Sequence, residues 1–281
     1  MISLTEDKSL LGYELLNSYS NISHFVTTRH GGCSEGTYGT FNCSHFTADK
    51  ANNVRKNQSL LLNGLKQHLV KELVIPEQVH EDEIRKIDKE FFDCSVTKQR
   101  NLLHGVDAMT TNEPGYCLCI STADCVPILL YDTRHKAIAA IHAGWRGTEM
   151  RLVESTIAQM NTWYGTRGED IVACIGPSIS LESFEVGEEV YDRFDKAGFD
   201  MSRISFLKEE TGKHHIDLWE ANRMSLLKCC VPADQIEVAN ICTYIHHKDF
   251  FSARRLGINS GRILSGIMLN DKELDKELER W

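Results

Sequence analysis

The apolar positions of this chain change rhythm in its middle third. Over residues 115–143 the runs YCLCISTADC, VPILLYD and AIAAIHA are rich in Cys, Ile, Val and Leu and bounded by turn residues, which predicts consecutive strands. Their apolar residues do not alternate with polar ones, so both faces of these strands are expected to be covered. Elsewhere the spacing is helical. Val54, Leu61, Leu65 and Leu69 predict a helix over about residues 53–68. Met150, Val153, Ile157, Met160 and Tyr164 predict another after Gly147, with Gly165 as its stop. Val186, Val190, Phe194 and Ala197 mark a third helix within residues 183–197, and residues 218–230 read as a fourth. Strands interleaved with helices give an α/β or α+β chain.

Composition narrows the class. The 281 residues contain no internal repeat, low-complexity tract or proline-rich linker, so a single domain spanning 1–281 is expected. A formal net charge of −9 argues against a nucleic-acid binder, which requires a clustered basic surface, and points to a small-molecule partner. The opening MISLTEDKSLLGYELL lacks the uninterrupted apolar core of a signal peptide, and no run is long enough to span a bilayer. A cytoplasmic protein is therefore expected. In that setting the 10 cysteines are read as reduced thiols rather than a disulfide framework. Cys33, Cys43, Cys117, Cys119, Cys229 and Cys230 are expected to be core residues.

Two of the remaining groups suggest chemistry. If VPILLYD and AIAAIHA pair antiparallel through a turn centred on Thr133 and Arg134, Cys125 lies opposite His142, with Cα atoms roughly 4.5–5.5 Å apart. A thiolate and an imidazole so placed can share one zinc at about 2.3 and 2.0–2.1 Å. A register slip of one residue would send them to opposite faces. They would then be a buried thiol and a hydrogen-bonded core histidine. His80, which follows the apolar run LVIPEQV and is expected at a strand end, offers a third ligand. Three protein ligands and one open position describe a catalytic zinc, which activates water or polarises a substrate. The AGWRGT that follows His142 reads either as a helix start able to seat an anion or as a tight turn with Trp145 as packing.

Taken together, TTRHGGCSEGTYGTFNCS, PEQVH, DAMTTNEPG, STADCVPILLYD, AAIHAGWRGT, CIGPSIS, FEVGEEV, FFSARR and SGR resemble the laccase-domain or polyphenol oxidase proteins, the YfiH family, also regarded as purine nucleoside enzymes. The likeness runs in order over residues 25 to about 269. It implies an α/β domain with β-sheets packed between helical layers, an α/β/β/α sandwich, and a zinc held by His80, Cys125 and His142. It further implies phosphorolysis of adenosine, inosine, guanosine and S-methyl-5′-thioadenosine to free base and (methylthio)ribose 1-phosphate, together with adenosine deamination. The older family name implies copper and phenol oxidation. Two positions depart from the pattern: Glu81 stands where many members have Gly, and Leu256 where an acidic residue is frequent.

The residues weigh these chemistries differently. Multicopper oxidation needs many paired imidazoles, whereas only His214-His215 and His246-His247 are vicinal and no His-x-His occurs. The H-x-E and P-C-x-x-C signatures of zinc nucleobase deaminases are also missing. Phosphorolysis requires an anion pocket. Its candidate donors are Arg29 with the Gly31-Gly32 turn, and Gly144, Trp145 and Arg146 at the helix start. Asn42 is a candidate for sugar or phosphate contact, or else a turn cap. Of Arg254 and Arg255, one is expected at the pocket and the other as a brace. Asp107 and Asp124 either orient a ligand imidazole or hold turns. A copper polyphenol oxidase, and a zinc-stabilised module that binds or edits peptidoglycan precursors or nucleotide sugars, are the alternative functions.

Overall fold

The strand Tyr116–Thr122 sends Leu118 and Ile120 to one side and Cys117 and Cys119 to the other, and all four are buried. That two-sided burial is the organising feature of the computed structural model, which describes residues 1–65 and 70–271. One six-stranded sheet has the order Ile2–Ser3, Leu10–Gly12, Ile22–Thr27, Ile263–Leu269, Tyr116–Thr122, Glu72–Val74. A second has the order Ile236–Val238, Ile171–Ile175, Val126–Asp132, Ala137–Ala143, Val106–Thr111, Glu83–Lys86. Between them lies a core that includes Val26, Leu118, Ile120, Met109, Leu129, Tyr131, Ile138 and Ile267.

Helices cover the outer faces. Phe25, Cys117, Cys119, Leu264 and Met268 of the first sheet pack with Leu61 and Leu65, on or just after the helix Ala51–Gly64. Val126, Ile128, Leu130, Ala139 and Ile141 of the second pack with Leu152, Ile157 and Met160 of Leu152–Tyr164 and with Ala221 and Leu226 of Leu218–Lys228. The result is the expected α/β/β/α sandwich, with the central strands apolar on both faces because neither face meets water. Truncating a residue at its centre, as in Leu118→Ala, is expected to cost about 2–5 kcal/mol. A small third sheet, Glu185–Val186, Lys213–Ile216 and Ser205–Lys208, flanks the second. Among the described residues no helix is long and apolar enough to cross a membrane.

Several expectations shift in detail. The first helix runs Ala51–Gly64. Residues 66–69, with His68 and Leu69, lie outside the described residues. The helix after His142 is two helices, Trp145–Glu149 and Leu152–Tyr164, separated where Arg151 adopts a left-handed φ of 63°. Arg151 is held there by Nη2 donating to the Ala197 carbonyl at 2.9 Å and by its guanidinium lying 3.4 Å from the Phe199 ring centroid. Gly165 does end the second, at φ 78°. The helix predicted over 183–197 is Glu188–Lys196, because Glu185–Val186 joins the third sheet. Cys33 and Cys230 are exposed and Cys229 is half-buried, so these three are not core thiols, whereas Cys43, Cys117 and Cys119 are.

The central hairpin corrects the proposed register. Asp132 pairs with Ala137, leaving the four-residue turn Thr133 to Lys136, and His142 pairs with Pro127 rather than Cys125. The Asp132 carboxylate sets that turn by accepting the Arg134 and His135 N–H groups, each at 2.9 Å. The turn is two residues longer than a tight pair, so the partner of His142 moves by two along the neighbouring strand. A two-residue shift preserves the face, and Cys125 remains on the side of His142 as a diagonal neighbour.

Candidate metal centre

Where the hairpin opens, Val126 pairs with Ala143, so Cys125 and Gly144 are the first residues beyond the ladder. A Cβ on Gly144 would stand 3.1 Å from Cys125 Sγ and 3.3 Å from His80 Cδ2. The glycine therefore lets three chain segments converge. Asp124 aims the thiol. It takes a left-handed φ of 82°, and its carboxylate accepts from Thr243 Oγ1 at 2.6 Å and from the Arg254 N–H at 2.7 Å.

The adjoining strand supplies the second fixed point. Ala108 pairs with Ile141, which brings Asp107 beside His142 at the next step. Asp107 is fully buried and its Oδ1 lies 2.6 Å from His142 Nδ1, so Nε2 is the nitrogen left to face the centre. The same carboxylate accepts the backbone N–H groups of Val79 at 3.2 Å, His80 at 3.1 Å and Glu81 at 2.9 Å. These bonds fold the loop after Pro76 inward and hold His80 at a φ of 66°. His80 is thus on a loop six residues past the strand Glu72–Val74, not at a strand end. Gln78 ties this loop to the first sheet by a two-way bond with Ser121, donating at 3.0 Å and accepting at 2.8 Å.

The outcome is a group in which ligand atoms of His80, Cys125 and His142 all lie within 4.8 Å of one another. The two imidazole rings are 4.7 Å apart at 76°. Electrostatics favour a charged pair. Burial raises the Cys125 thiol, but the charges and hydrogen bonds of His142 and His80 outweigh it and bring it to about 6. Burial lowers His142, yet Cys125 and Asp107 push it up to about 9. Asp107 is raised by burial and lowered by His142 and the loop N–H groups, with a net lowering.

The donor set fits a metal ion. One accessible thiolate and two imidazoles, one locked in its tautomer by a buried carboxylate, match a zinc site with an open position. They also accept copper. One other group among the described residues has suitable ligand atoms, Asp132, His135 and Asp170. There Asp132 is already engaged in the hairpin turn and in an ion pair with His135 at 3.0 Å.

The centre opens into a cavity of about 340 Å³, within the usual range for small-molecule sites. Phe46, Pro76, Trp145, Ile179, Phe184, Leu218 and Ile258 give apolar walls, and Ser44, Gln78, Asp124, Arg254 and Arg262 polar ones. Of the residues expected to bind substrate, Trp145 lines this cavity and Gly144 adjoins the cluster. Arg146 is exposed and stacks on Trp145 at 4.4 Å. Arg29 is not on the cavity wall; it donates to the Gly39 carbonyl at 2.8 Å and the His247 carbonyl at 2.6 Å and lies over Phe251. Asn42 is fully buried, and its Oδ1 accepts the Arg262 N–H at 3.1 Å. Arg254 reaches the cavity while Arg255 lies over Tyr244. Asp107 orients the imidazole and Asp124 holds a turn. Sequence reasoning missed Arg262, Gln78 and Phe46; the only local signal for Arg262 was the SGR motif.

Residues 23–270 match the family model described as multi-copper polyphenol oxidoreductase laccase. The chain belongs to that family of enzymes. It is 65% identical over 270 residues to a purine nucleoside phosphorylase of Bacteroides thetaiotaomicron, covering 96% of this chain and 100% of that one. It is 39% identical to adenosine deaminase RL5 from an unknown prokaryotic organism, over 90% and 96% of the two chains. The crystal structure of the hypothetical protein YfiH of Bacillus licheniformis superposes with a TM-score of 0.84 at 30% identity, over 93% and 97% of the two chains.

Proposed function

We propose that this chain is a zinc-dependent purine nucleoside enzyme. It phosphorolyses adenosine, inosine, guanosine and S-methyl-5′-thioadenosine, and deaminates adenosine. The observation that carries the reading is the convergence of His80, Cys125 and His142 on the floor of a cavity with an apolar, aromatic wall and two arginines. The likeness to relatives named for these two reactions supports it.

His80, Cys125 and His142 would hold the ion, which when bound supplies Lewis-acid chemistry, polarising an oxygen and easing loss of its proton. Asp107 keeps the His142 proton on Nδ1 and so keeps Nε2 available. Trp145, Phe46 and Phe184 offer flat apolar surface for a purine. In phosphorolysis a phosphate oxygen bonds to C1′ and the C1′–N9 bond breaks. The electron pair leaves on the purine, which takes up a proton. In deamination water adds at C6 and ammonia leaves. With zinc-loaded protein, adenosine should give adenine only when phosphate is supplied, and inosine without it. No turnover in either assay contradicts the reading.

The family description favours a second reading, copper-dependent phenol oxidation. Against it, the only group of both His and Cys among the described residues that could hold a metal is this single one. Metal analysis of protein purified without added metal, followed by a phenol oxidation assay, separates the two.

A further inference from the structure

The proposed phosphorolysis needs a cation for its anionic co-substrate, and the structure leaves few. Arg29 is not on the cavity wall, Arg146 stacks outside on Trp145, and Arg255 covers Tyr244. Arg254 and Arg262 are the cationic side chains other than histidine on the cavity wall among the described residues.

Their settings differ. Arg262 Nη1 donates to the carbonyls of Ser260 at 2.6 Å and Gly261 at 3.1 Å, and Nη2 to that of Ile258 at 3.1 Å. A guanidinium has five N–H donors. Three are fixed and two remain, which is the number a bidentate contact to an oxyanion uses. The backbone of Arg262 is fixed as well, through its N–H to the buried Asn42. Arg254 is exposed and spends one donor on the Glu185 carbonyl at 3.2 Å while lying over Phe184. One arginine is braced at the cavity by three carbonyls and the other, exposed, is held by one.

We propose that Arg262 seats the phosphate co-substrate, with Arg254 closing over it. This rests on the nucleoside reading of the site, but binding of phosphate tests it separately. Asn42 is then a positioning residue, acting through Arg262. The braced guanidinium presents its two free N–H groups without first having to be ordered, which favours a tetrahedral oxyanion over a neutral nucleophile such as water.

The test is isothermal calorimetry of inorganic phosphate against the zinc-loaded full chain at constant ionic strength, with sulfate and chloride as controls. The wild type is expected to bind phosphate. Arg262→Gln should weaken that binding at least tenfold, and Arg254→Gln by less. Arg262→Lys keeps charge but not the paired donors and should fall between wild type and Arg262→Gln. Thermal melts identify a variant that fails to fold, in which case Arg262→Lys and the exposed Arg254→Gln carry the test. In steady state, Arg262→Gln should raise KM for phosphate at least tenfold against less than threefold for the nucleoside, with Arg262→Lys and Arg254→Gln raising it by less. Phosphate binding that is absent from the wild type, or equal in wild type and folded Arg262 variants, overturns the proposal. Phosphate binding that depends on Arg262 in a protein that turns over no nucleoside sustains the seat and overturns only the nucleoside reading.

Discussion

The candidate metal centre is built from two kinds of backbone. Cys125 and His142 belong to the central hairpin, where seven paired positions from Val126–Ala143 to Asp132–Ala137 fix their spacing. His80 belongs to a loop with a left-handed φ, drawn in by N–H groups that converge on Asp107. The first pair is positioned redundantly; the third ligand depends on the Asp107 carboxylate and on the Gln78 tether to Ser121. Because that carboxylate also orients His142, Asp107 connects the rigid part of the site to the part that sequence alone specifies least.

The largest expected effect comes from breaking the rigid side. Cys125→Ala removes the thiolate and should abolish stoichiometric zinc binding, with turnover falling more than about a hundredfold. Metal content and product assays read both, and melting at nearly wild-type temperature would show that the hairpin survives. The connecting carboxylate comes next. Asp107→Asn should weaken metal affinity roughly 10- to 100-fold. Asp107→Ala should in addition lower stability by about 1–3 kcal/mol, since it leaves the loop N–H groups without their acceptor. Competition with a chelator and denaturant titration separate the two variants; equal metal affinity in Asp107→Asn and wild type would show that the loop holds itself.

Gly144→Ala sharpens the comparison further. The φ of −62° at Gly144 suits alanine, so the change should leave stability nearly untouched or raise it by up to about 1 kcal/mol. The new Cβ would stand 3.1 Å from Cys125 Sγ and 3.3 Å from His80 Cδ2, so these two ligand side chains must shift to admit it. Zinc affinity is therefore expected to drop roughly tenfold without a matching fall in melting temperature. The smallest effect is expected at Glu81, the residue after His80 and not on the cavity wall. Glu81 is exposed, and Glu81→Gly should change kcat less than about threefold. It should lower KM for phosphate more than KM for nucleoside, by removing a like charge beside His80.

How much of this was legible in the sequence follows the same division. VPILLYD and AIAAIHA coincide with strands Val126–Asp132 and Ala137–Ala143, because apolar runs bounded by turn residues encode a two-sided burial that local pattern reports directly. The register was misplaced by two residues, since it depends on the Asp132 side chain building a four-residue turn. His80 was found as a residue but placed on the wrong kind of backbone, because the carboxylate that shapes its loop is on Asp107, 27 positions away. Arg29 and Asn42 drew attention as polar residues in a glycine-rich stretch, and neither lines the cavity. Arg262 escaped notice because it reaches the cavity only when the strand Ile263–Leu269 pairs between Ile22–Thr27 and Tyr116–Thr122. Long-range pairing of this kind leaves no local periodicity to read.

The central claim is that two imidazoles and one thiolate hold a single ion in this chain. X-ray absorption at the zinc edge, on protein purified without added metal, tests it most directly. One sulfur at about 2.3 Å and two imidazole nitrogens at about 2.0–2.1 Å are expected, with the sulfur shell lost in Cys125→Ala. A wild-type spectrum with no sulfur neighbour, or no zinc bound at all, would contradict it.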